Sequence, residues 1–279
     1  MRWGVVGVGR AGRARARAIA LDPGATLSAV CRGRFAHEFE APEVGFDDLI
    51  QRVEAVAICS PSAEHEAQVR RALEADCDVV VEFPVALEPL AAQALFSLAQ
   101  RQERLLHVEH IELLAPWHQA LRQRMGRPEH VRVVMTKPGN GRETPDYFFG
   151  AALARLHCIA EYSPIQRIRQ RWVEPGFVRA ELDLADGRAA LELRSGEGFE
   201  RRFEVDVVDE RATYRVVNRR LFCDGDEVPL AHAQGSLFAQ DHDVAMKRIC
   251  AGGRHYVTRS RVIDCLALTH ELTQTQSSR

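Results

Sequence analysis

The opening twelve residues constrain the fold of this chain more than any other segment. An apolar run ending at Val5 and Val6 passes directly into Gly7-Val8-Gly9-Arg10-Ala11-Gly12. A helical pattern follows. In a strand, turn and helix of this kind, the first glycine allows a tight turn, the second lets the backbone approach a pyrophosphate, and the third lets helix and strand pack closely. The segment therefore predicts a dinucleotide site, with a glycine turn that binds no ligand as the alternative.

The first part of the chain alternates short apolar runs with amphipathic stretches, which is typical of βαβ units and a parallel sheet. The predicted strands are Val5–Val6, Leu27–Val30, Val53–Cys59, Val79–Val81 and Leu105–Val108. The predicted helices are Arg13–Leu21, His65–Ala75 and Leu87–Gln100. This order predicts a doubly wound Rossmann sheet of the α/β class, forming a dinucleotide-binding domain over residues 1–118.

The remainder of the chain has longer alternating segments and tight-turn signals at Asp186-Gly187 and Asp224-Gly225. The predicted strands here are Phe177–Leu184, Arg188–Leu193, Phe203–Val208, Ala212–Val217 and Arg220–Cys223, and the predicted helices are Gln240–Ala251 and Arg259–Leu272. We expect an α+β substrate-binding domain over residues 119–279, with a large, mainly antiparallel sheet and a frayed tail from Thr273. A helix over Pro116–Met125 would suit either domain.

Composition narrows the range of partners. A net charge of −2 provides no general field for nucleic acid or an anionic membrane, and no apolar run approaches the roughly 20 residues of a membrane span. No secretory leader pattern begins the chain. The seven cysteines are odd in number and scattered, which favours free thiols in a reducing compartment. We expect a cytoplasmic protein, monomeric or weakly dimeric, that binds neither nucleic acid nor membrane.

The end of the second predicted strand, Cys31-Arg32-Gly33-Arg34, bears on the choice of cofactor. An NAD site has a carboxylate here for the ribose hydroxyl, whereas arginine favours a 2′-phosphate. Arg32 and Arg34 therefore predict NADPH, with weaker use of NADH; a solvated basic turn is the alternative. Ser60 and Pro61 follow the next strand and are predicted to touch the cofactor. His65 is a further candidate, for which packing or capping is the favoured role.

A family resemblance enters at Val81-Glu82-Phe83-Pro84. The N-terminal half resembles the glucose–fructose oxidoreductase and inositol dehydrogenase superfamily, which has Glu-Lys-Pro at this point. Its lysine binds the nicotinamide and the reacting carbinol. The present chain has phenylalanine there, and its only lysines are Lys137 and Lys247.

One branch of that superfamily, the biliverdin reductases, has Glu-Tyr-Pro at this position. The chain also resembles that branch over Leu105–Leu114, Ala152–Leu156 and Gly235–Asp241, and most closely its cyanobacterial type. The resemblance implies NADPH-dependent reduction of biliverdin to bilirubin by hydride transfer to the central methine carbon.

The resemblance also implies roles for individual residues. Arg155 is expected to face the nicotinamide and to polarise the pyrrole system, with an ordinary surface arginine as the alternative. Glu82 and Asp241 are further catalytic candidates, each as a proton-holding carboxyl group or, as we favour, as a carboxylate that orients Arg155. The expected substrate contacts are Phe83, His110, Arg155 and Asp241, and Glu82 and Phe83 are also expected to contact the cofactor.

The chain departs from this branch at two places. Phe83 excludes a phenolic proton donor at its position, and of the Cys/His cluster credited with zinc binding in mammalian relatives only Cys265 and His270 remain. We predict no metal.

His107 and Glu109 share one face of a strand and His110 lies on the other, and structural hydrogen bonding is the favoured role for most of them. Alternative functions are an NADP-dependent dehydrogenase of a sugar or cyclitol, a non-catalytic dinucleotide sensor, and a reductase of another bilin.

Overall fold

The computed structural model describes residues 1–231, 235–253 and 255–274. In chain order the strands are β1 (Arg2–Val6), β2 (Thr26–Cys31), β3 (Ala55–Ile58), β4 (Asp78–Glu82), β5 (Leu106–Glu109), β6 (Pro128–Pro138), β7 (Ile165–Glu174), β8 (Phe177–Leu184), β9 (Arg188–Gly196), β10 (Arg202–Asp209), β11 (Thr213–Val217), β12 (Arg220–Cys223) and β13 (Asp226–Val228). The α-helices are α1 (Arg10–Leu21), α2 (Phe46–Ile50), α3 (Ser62–Glu74), α4 (Pro89–Arg101), α5 (Pro116–Arg124), α6 (Phe149–Tyr162), α7 (Leu237–Ala251) and α8 (Arg259–Thr273).

The first compact unit comprises Met1–Leu114 and Ala233–Ile263. Its sheet has five parallel strands in the order β2-β1-β3-β4-β5. Such a sheet is covered by helices on both faces, so its central strands must be apolar throughout. All four residues of β3 are buried accordingly. The order reverses direction between β1 and β3, and in open α/β sheets ligands bind at this switch point, beyond the carboxyl ends of the strands.

The second unit comprises Ala115–His232 and Asp264–Arg279. Its eight strands lie in the order β13-β12-β11-β10-β6-β9-β8-β7, and every neighbouring pair is antiparallel except β6 with β9. Strand β8 alternates buried and half-buried residues along its length, the pattern of a sheet with one face on a core. The predicted fold class, a parallel Rossmann sheet followed by a mainly antiparallel α+β sheet, is confirmed.

The predicted elements match observed ones, with boundaries shifted by a few residues, and the structure adds elements that the patterns did not predict. The hairpin turn at Asp186-Gly187 joins β8 to β9, and the turn at Asp224-Gly225 joins β12 to β13. Strands β6, β7 and β13 and the helices α2 and α6 were not predicted from these patterns. The end of the tail, residues 275–279, lies outside the described residues.

The compact units differ from the single division predicted after residue 118. Helix α7, predicted as part of the second domain, packs on α1 in the first unit. Ala245 of α7 is buried in the same hydrophobic cluster as Trp3 and Ile19, and the imidazole of His242 lies 3.0 Å from the carboxylate of Asp22. The chain therefore returns to its first unit because α7 completes the core around β1 and α1.

Two further observations concern the predicted environment of the protein. All seven cysteines are free thiols, as the scattered spacing predicts. Among the described residues there is no helix with both the length and the apolar character that a membrane span requires.

Candidate active site

Gly7 forms the turn between β1 and the glycine helix α1. Its backbone has φ of +82°, a conformation that favours glycine. A Cβ atom at this position would lie 2.6 Å from the carbonyl oxygen of Cys59, at the end of β3. The Gly7 N–H also donates to the Cys31 carbonyl, 2.9 Å away, at the end of β2. The turn is thus clamped between two strand ends, and both the backbone angle and the close approach require glycine.

Gly9 and Gly12 have contrasting surroundings. A Cβ atom on Gly12 would lie 2.2 Å from the Gly7 carbonyl oxygen, whereas one on Gly9 would meet nothing within 4 Å. Gly9 caps the N-terminus of α1 and offers no side chain to its first N–H groups. These groups carry the positive end of the helix dipole. Open space in front of them is the geometry that a pyrophosphate needs, so the segment from Gly7 to Gly12, with Val8, Arg10 and Ala11, fits a dinucleotide.

The end of β2 is locked against the same loop. The Val8 N–H donates to the Arg32 carbonyl oxygen at 2.8 Å, and a Cβ atom on Gly33, whose φ is +151°, would lie 2.4 Å from the Val8 nitrogen. Arg32 has a positive φ of 48°. The side chain of Arg32 is largely exposed and that of Arg34 lies over the Phe35 ring. The two predicted phosphate-binding arginines therefore flank a rigid turn beside the glycine loop.

The structure brings to Arg32 a carboxylate that the sequence patterns did not reveal. The Arg32 guanidinium lies 2.5 Å from the carboxylate of Glu64, in the first turn of α3. Glu64 also accepts from the Gln68 amide at 2.8 Å, and Gln68 accepts from the Ser60 hydroxyl at 2.5 Å. The sequence did not indicate this pair, because Glu64 follows the third strand, whereas the carboxylate that binds the ribose in NAD sites follows the second.

His65 supports the strand ends. Its ring is 1% exposed; Nδ1 lies 2.7 Å from the carbonyl oxygen of Pro84 and Nε2 lies 2.8 Å from that of Ser60. The imidazole thus ties the loop after β3, which contains Ser60 and Pro61, to the loop after β4. Packing, the favoured role, accounts for these contacts, and the predicted cofactor contacts of Ser60, Pro61 and His65 remain predictions.

An aromatic surface and a buried carboxyl group lie where β4 ends. The Phe83 ring stacks on the imidazole of His110, with ring centres 5.1 Å apart and planes inclined by 15°. Burial raises the pKa of Glu82, against a smaller opposing effect of its hydrogen bond with Cys59. Among the described residues, no hydrogen-bond partner reaches Glu82 Oε1. The sheet edge here combines an apolar ring with a carboxyl group that retains its proton more readily than usual.

A buried ionic group, which we call the Arg15 cluster, consists of Arg15, His107, Glu109, Asp241 and Tyr256. The Arg15 guanidinium, 0% exposed, donates to the carboxyl groups of Glu109 and Asp241. Asp241 Oδ1 also accepts from the Tyr256 hydroxyl and lies 2.8 Å from His107 Nε2. The structural role favoured for His107 and Glu109 is confirmed, because both strand residues turn into this cluster.

Proton positions in the cluster follow from its donors. A guanidinium only donates, so His107 Nδ1, 3.1 Å from Arg248, is an acceptor, and Nε2 carries the proton toward Asp241. This neutral tautomer agrees with the pKa of His107, which burial lowers. Burial works against ionisation of Asp241, yet Arg15 and His107 outweigh it and hold the pKa of that carboxyl well below its usual range.

Asp241 lies in the interior of the first unit. It is 0% exposed, and each of its carboxylate oxygens already accepts from a member of the Arg15 cluster. The observed contacts give Asp241 a structural role, holding α7 to α1. Its predicted direct part in catalysis or substrate binding stays a prediction.

Arg155 lies in the second unit, on α6. Its side chain is buried, and the guanidinium carbon lies 4.3 Å from the centre of the Phe203 ring. Burial lowers the pKa of Arg155, although an arginine remains a cation at neutral pH. An ordinary surface arginine, the alternative considered above, is excluded by this burial.

The described residues contain no group of three or more His, Cys, Asp or Glu side chains placed to hold a metal ion. His270, one of the two remnants of the zinc cluster, packs edge-on against Phe149. Cys265, the other, is buried. These packing contacts do not test the prediction that the protein binds no metal, which stays a prediction.

Comparisons with known proteins identify the class. Residues 1–110 match the family described as oxidoreductase family, NAD-binding Rossmann fold. Biliverdin reductase A of Mus musculus is 25% identical over 96% of this chain and 93% of its own length. The crystal structure of biliverdin reductase from Synechocystis sp. PCC 6803, in complex with biliverdin and NADP+, is 25% identical and superposes over 97% of each chain with a TM-score of 0.83.

A sugar-nucleotide enzyme is also similar. UDP-N-acetylglucosamine 3-dehydrogenase of Acidithiobacillus ferrooxidans is 31% identical over 50% of this chain and 46% of its own length. Its crystal structure, 22% identical, shares the fold over 98% of this chain and 96% of that one, with a TM-score of 0.85.

The fold and these similarities place the protein among the NAD(P)H-dependent oxidoreductases of this Rossmann type. Within that class its resemblance to the biliverdin reductases is confirmed, and it extends over both units of the chain.

The glycine loop generates a prediction that separates folding from cofactor binding. Gly12→Ala should lower the free energy of unfolding by about 1–3 kcal/mol, because its Cβ would overlap a backbone carbonyl. Gly9→Ala should leave stability within about 0.5 kcal/mol yet weaken NADPH binding at least ~tenfold, since the methyl group would occupy the pyrophosphate position. Urea denaturation and NADPH fluorescence titration measure the two effects. Unchanged NADPH affinity in Gly9→Ala would contradict the assignment.

The Arg15 cluster generates a prediction about pH. Burial raises the pKa of Glu109 to about 7, with Arg15 opposing the shift, so between the unfolded-state pKa and pH 7 the folded state binds more protons. The free energy of unfolding should therefore fall as pH rises over this range. In Glu109→Gln, the fall in the free energy of unfolding between pH 5 and pH 7 should be smaller, by on the order of 1 kcal/mol.

Urea denaturation at pH 5, 6, 7 and 8 measures this effect. Glu74→Gln, at an exposed position at the end of α3, is the matched control and should retain the slope of the unchanged protein. Identical slopes for Glu109→Gln and the unchanged protein would show that Glu109 ionises normally.

Proposed function

We propose that the protein reduces biliverdin to bilirubin with NADPH, delivering a hydride to the central methine carbon. The observation that carries this proposal is the aromatic surface after β4, where Phe83 stacks on His110. Sugar dehydrogenases of the superfamily have a lysine at this position. A flat apolar surface suits a conjugated tetrapyrrole, whereas a phenyl ring cannot hydrogen-bond a carbinol or move its proton.

The two lysines of the chain support the same choice. Lys247 pairs with Asp243 on the exposed side of α7. Lys137 donates to the Tyr147 carbonyl and lies over the Tyr147 ring in the second unit. Neither follows β4, so a sugar or cyclitol dehydrogenase would lack its central group. The partial similarity to a UDP-N-acetylglucosamine dehydrogenase keeps that activity as the second candidate.

The glycine loop and Arg32 are the groups proposed to hold NADPH. When bound, NADPH supplies the hydride. The N–H groups at the start of α1 bind the pyrophosphate, and Arg32, assisted by Arg34, grips the 2′-phosphate through paired donors. Support for the phosphate over a hydroxyl comes from Arg32 at the end of β2 and from the NADP+ present in the similar Synechocystis structure.

Arg155 is the proposed electrostatic partner of the pigment. A buried guanidinium has little water to screen it, so it stabilises negative charge more strongly than an exposed one. Because arginine keeps its proton, Arg155 polarises the pyrrole system or orders a water rather than donating directly. Burial raises the pKa of Glu82. We therefore propose that Glu82 holds a proton near the reacting end of the cofactor, in place of the orienting role favoured from the sequence.

The free thiols fit a reducing compartment, which supports a cytoplasmic location. We retain a monomer or weak dimer as the proposed state.

The direct test of the proposed function is a colour change. Purified protein with biliverdin and NADPH should convert the green pigment to a yellow one. The conversion is measured as a loss of absorbance in the red and a gain in the blue. The reaction should require NADPH, and at a subsaturating NADPH concentration it should be slower in Gly9→Ala. Oxidation of UDP-N-acetylglucosamine with NADP+, in the absence of any reaction with biliverdin, would instead establish the second candidate.

The ion pair of Arg32 with Glu64 generates a prediction about cofactor choice. Arg32→Ala should raise KM for NADPH at least ~tenfold and KM for NADH much less, since only the phosphate needs the charged donor. Glu64→Gln should lower KM for NADPH by about threefold, because an exposed pair of this kind is worth under ~1 kcal/mol. The control, Glu66→Gln, removes a carboxylate of the same helix that pairs with Arg70. Equal changes in KM for NADPH and NADH in Arg32→Ala would contradict the assignment of Arg32 to the 2′-phosphate.

The burial of Arg155 generates a prediction about rate. Arg155→Ala should lower kcat for biliverdin about a hundredfold or more, in line with loss of one preorganised electrostatic partner. Arg155→Lys should retain only part of the kcat that is lost in Arg155→Ala, since an ammonium lacks the planar donor fork of a guanidinium. Arg122→Ala, which removes an exposed arginine paired with Glu161, is the control. A raised KM with unchanged kcat would show that Arg155 only binds the substrate.

A further inference from the structure

A cavity lies within the first unit, and no residue of the glycine loop lines it. It has a volume of about 310 Å³, near the lower end of the range for small-molecule sites. Its apolar wall consists of Phe96 on α4, Leu106 and Val108 on β5, Val257 just before α8 and Val262 on α8. The remaining lining residues are all cationic or polar, and none is a carboxylate.

Arg248 supplies the first cation of this cavity. It is half-buried on α7, and burial lowers its pKa. Its guanidinium donates to Nδ1 of His107, 3.1 Å away, which is a neutral acceptor. In the described part of the chain no carboxylate lies within 4 Å of Arg248. The nearby Asp241 is already engaged by the Arg15 cluster.

Arg259 supplies the second cation from the opposite edge. It donates to the Ser97 hydroxyl at 2.8 Å and to the Gln93 carbonyl at 3.3 Å, and it lies over the Phe96 ring. These partners are uncharged. Two guanidinium groups thus face one cavity without a counter-charge among the described residues. A partly buried charge is costly unless it is paired, so the missing partner is expected from a ligand.

His255 adds no charge to this cavity. Its Nε2 donates to the Val108 carbonyl at 3.1 Å, and its Nδ1 accepts from the Val257 N–H at 2.8 Å. Both ring nitrogens are satisfied by the neutral tautomer, in agreement with a pKa that burial lowers to about 2. The positive potential of the cavity therefore comes from Arg248 and Arg259 alone and persists across the ordinary pH range.

We infer that this cavity binds a small carboxylic acid with an apolar body. The carboxylate pairs with Arg248 and Arg259, and the body packs against the wall formed by Phe96, Leu106 and Val108. A guanidinium presents paired N–H donors that match a carboxylate. The five apolar lining residues favour an acid with an apolar body over a bare inorganic anion, and a volume of about 310 Å³ suits a small molecule. This site is independent of the proposed reaction.

Isothermal titration calorimetry of the full chain with hexanoate tests the inference. Hexanoate should bind with saturable heat, and acetate, hexan-1-ol and inorganic phosphate should each bind at least tenfold more weakly, because each lacks the apolar body or the charge. Phosphate binding as tightly as hexanoate would overturn the proposed ligand class. Absence of hexanoate binding would overturn the site.

Variants locate the binding. Arg248→Gln should weaken hexanoate binding at least tenfold and Arg259→Gln by a smaller factor, and Arg248→Lys should give an intermediate affinity, because an ammonium keeps the charge but lacks the paired donors. Arg70→Gln, on the surface of α3, is the matched control and should bind as the unchanged protein does. Circular dichroism and NADPH affinity verify that each variant is folded. Equal hexanoate affinity in a folded Arg248→Gln variant would show that hexanoate binds elsewhere.

Discussion

The buried guanidinium of Arg15 is the interaction on which much of the first unit depends. Removing such a group from water is tolerated only when opposite charges and hydrogen bonds surround it, and breaking a buried pair costs about 3–5 kcal/mol. Two carboxyl groups meet the requirement, Glu109 from the adjacent sheet and Asp241 from a helix 226 residues further along the chain. The charge of Arg15 therefore commits α7 to the first unit and gives that unit a discontinuous chain.

This commitment has consequences at the sheet edge. Once α7 is docked, the following segment runs beside β5, where the His255 ring bonds the Val108 carbonyl and the Tyr256 hydroxyl bonds the His110 N–H. Edge strands expose unpaired backbone groups that must be covered, and these two side chains cover part of this one. The imidazole of His110 then supports Phe83, so the aromatic surface proposed to meet the pigment rests on an edge fastened by the segment after α7.

The glycine loop was predictable from sequence because its constraints are local. Turn, close approach and helix start all fall within six consecutive residues, so their spacing alone indicates the chemistry. The period-two alternation that separates His107 and Glu109 from His110 is local in the same sense, and the structure follows it. Phe83 was informative because a single residue type replaced the lysine expected at one strand end. In each case the relevant partners are the chain's own neighbours or a fixed position in a repeating unit.

The sequence by itself therefore determined the α/β class, the alternation of strands and helices in the first part of the chain, the dinucleotide loop and the absence of a lysine after β4. Tertiary structure alone decided that Glu64 neutralises Arg32, that Asp241 is buried beside Arg15, and that Arg248 and Arg259 share one cavity. The physical reason is the range of the interactions. Backbone geometry and hydrophobic periodicity act between residues a few positions apart, whereas charges pair across any sequence separation, and the folded core selects which of many carboxylates meets each arginine.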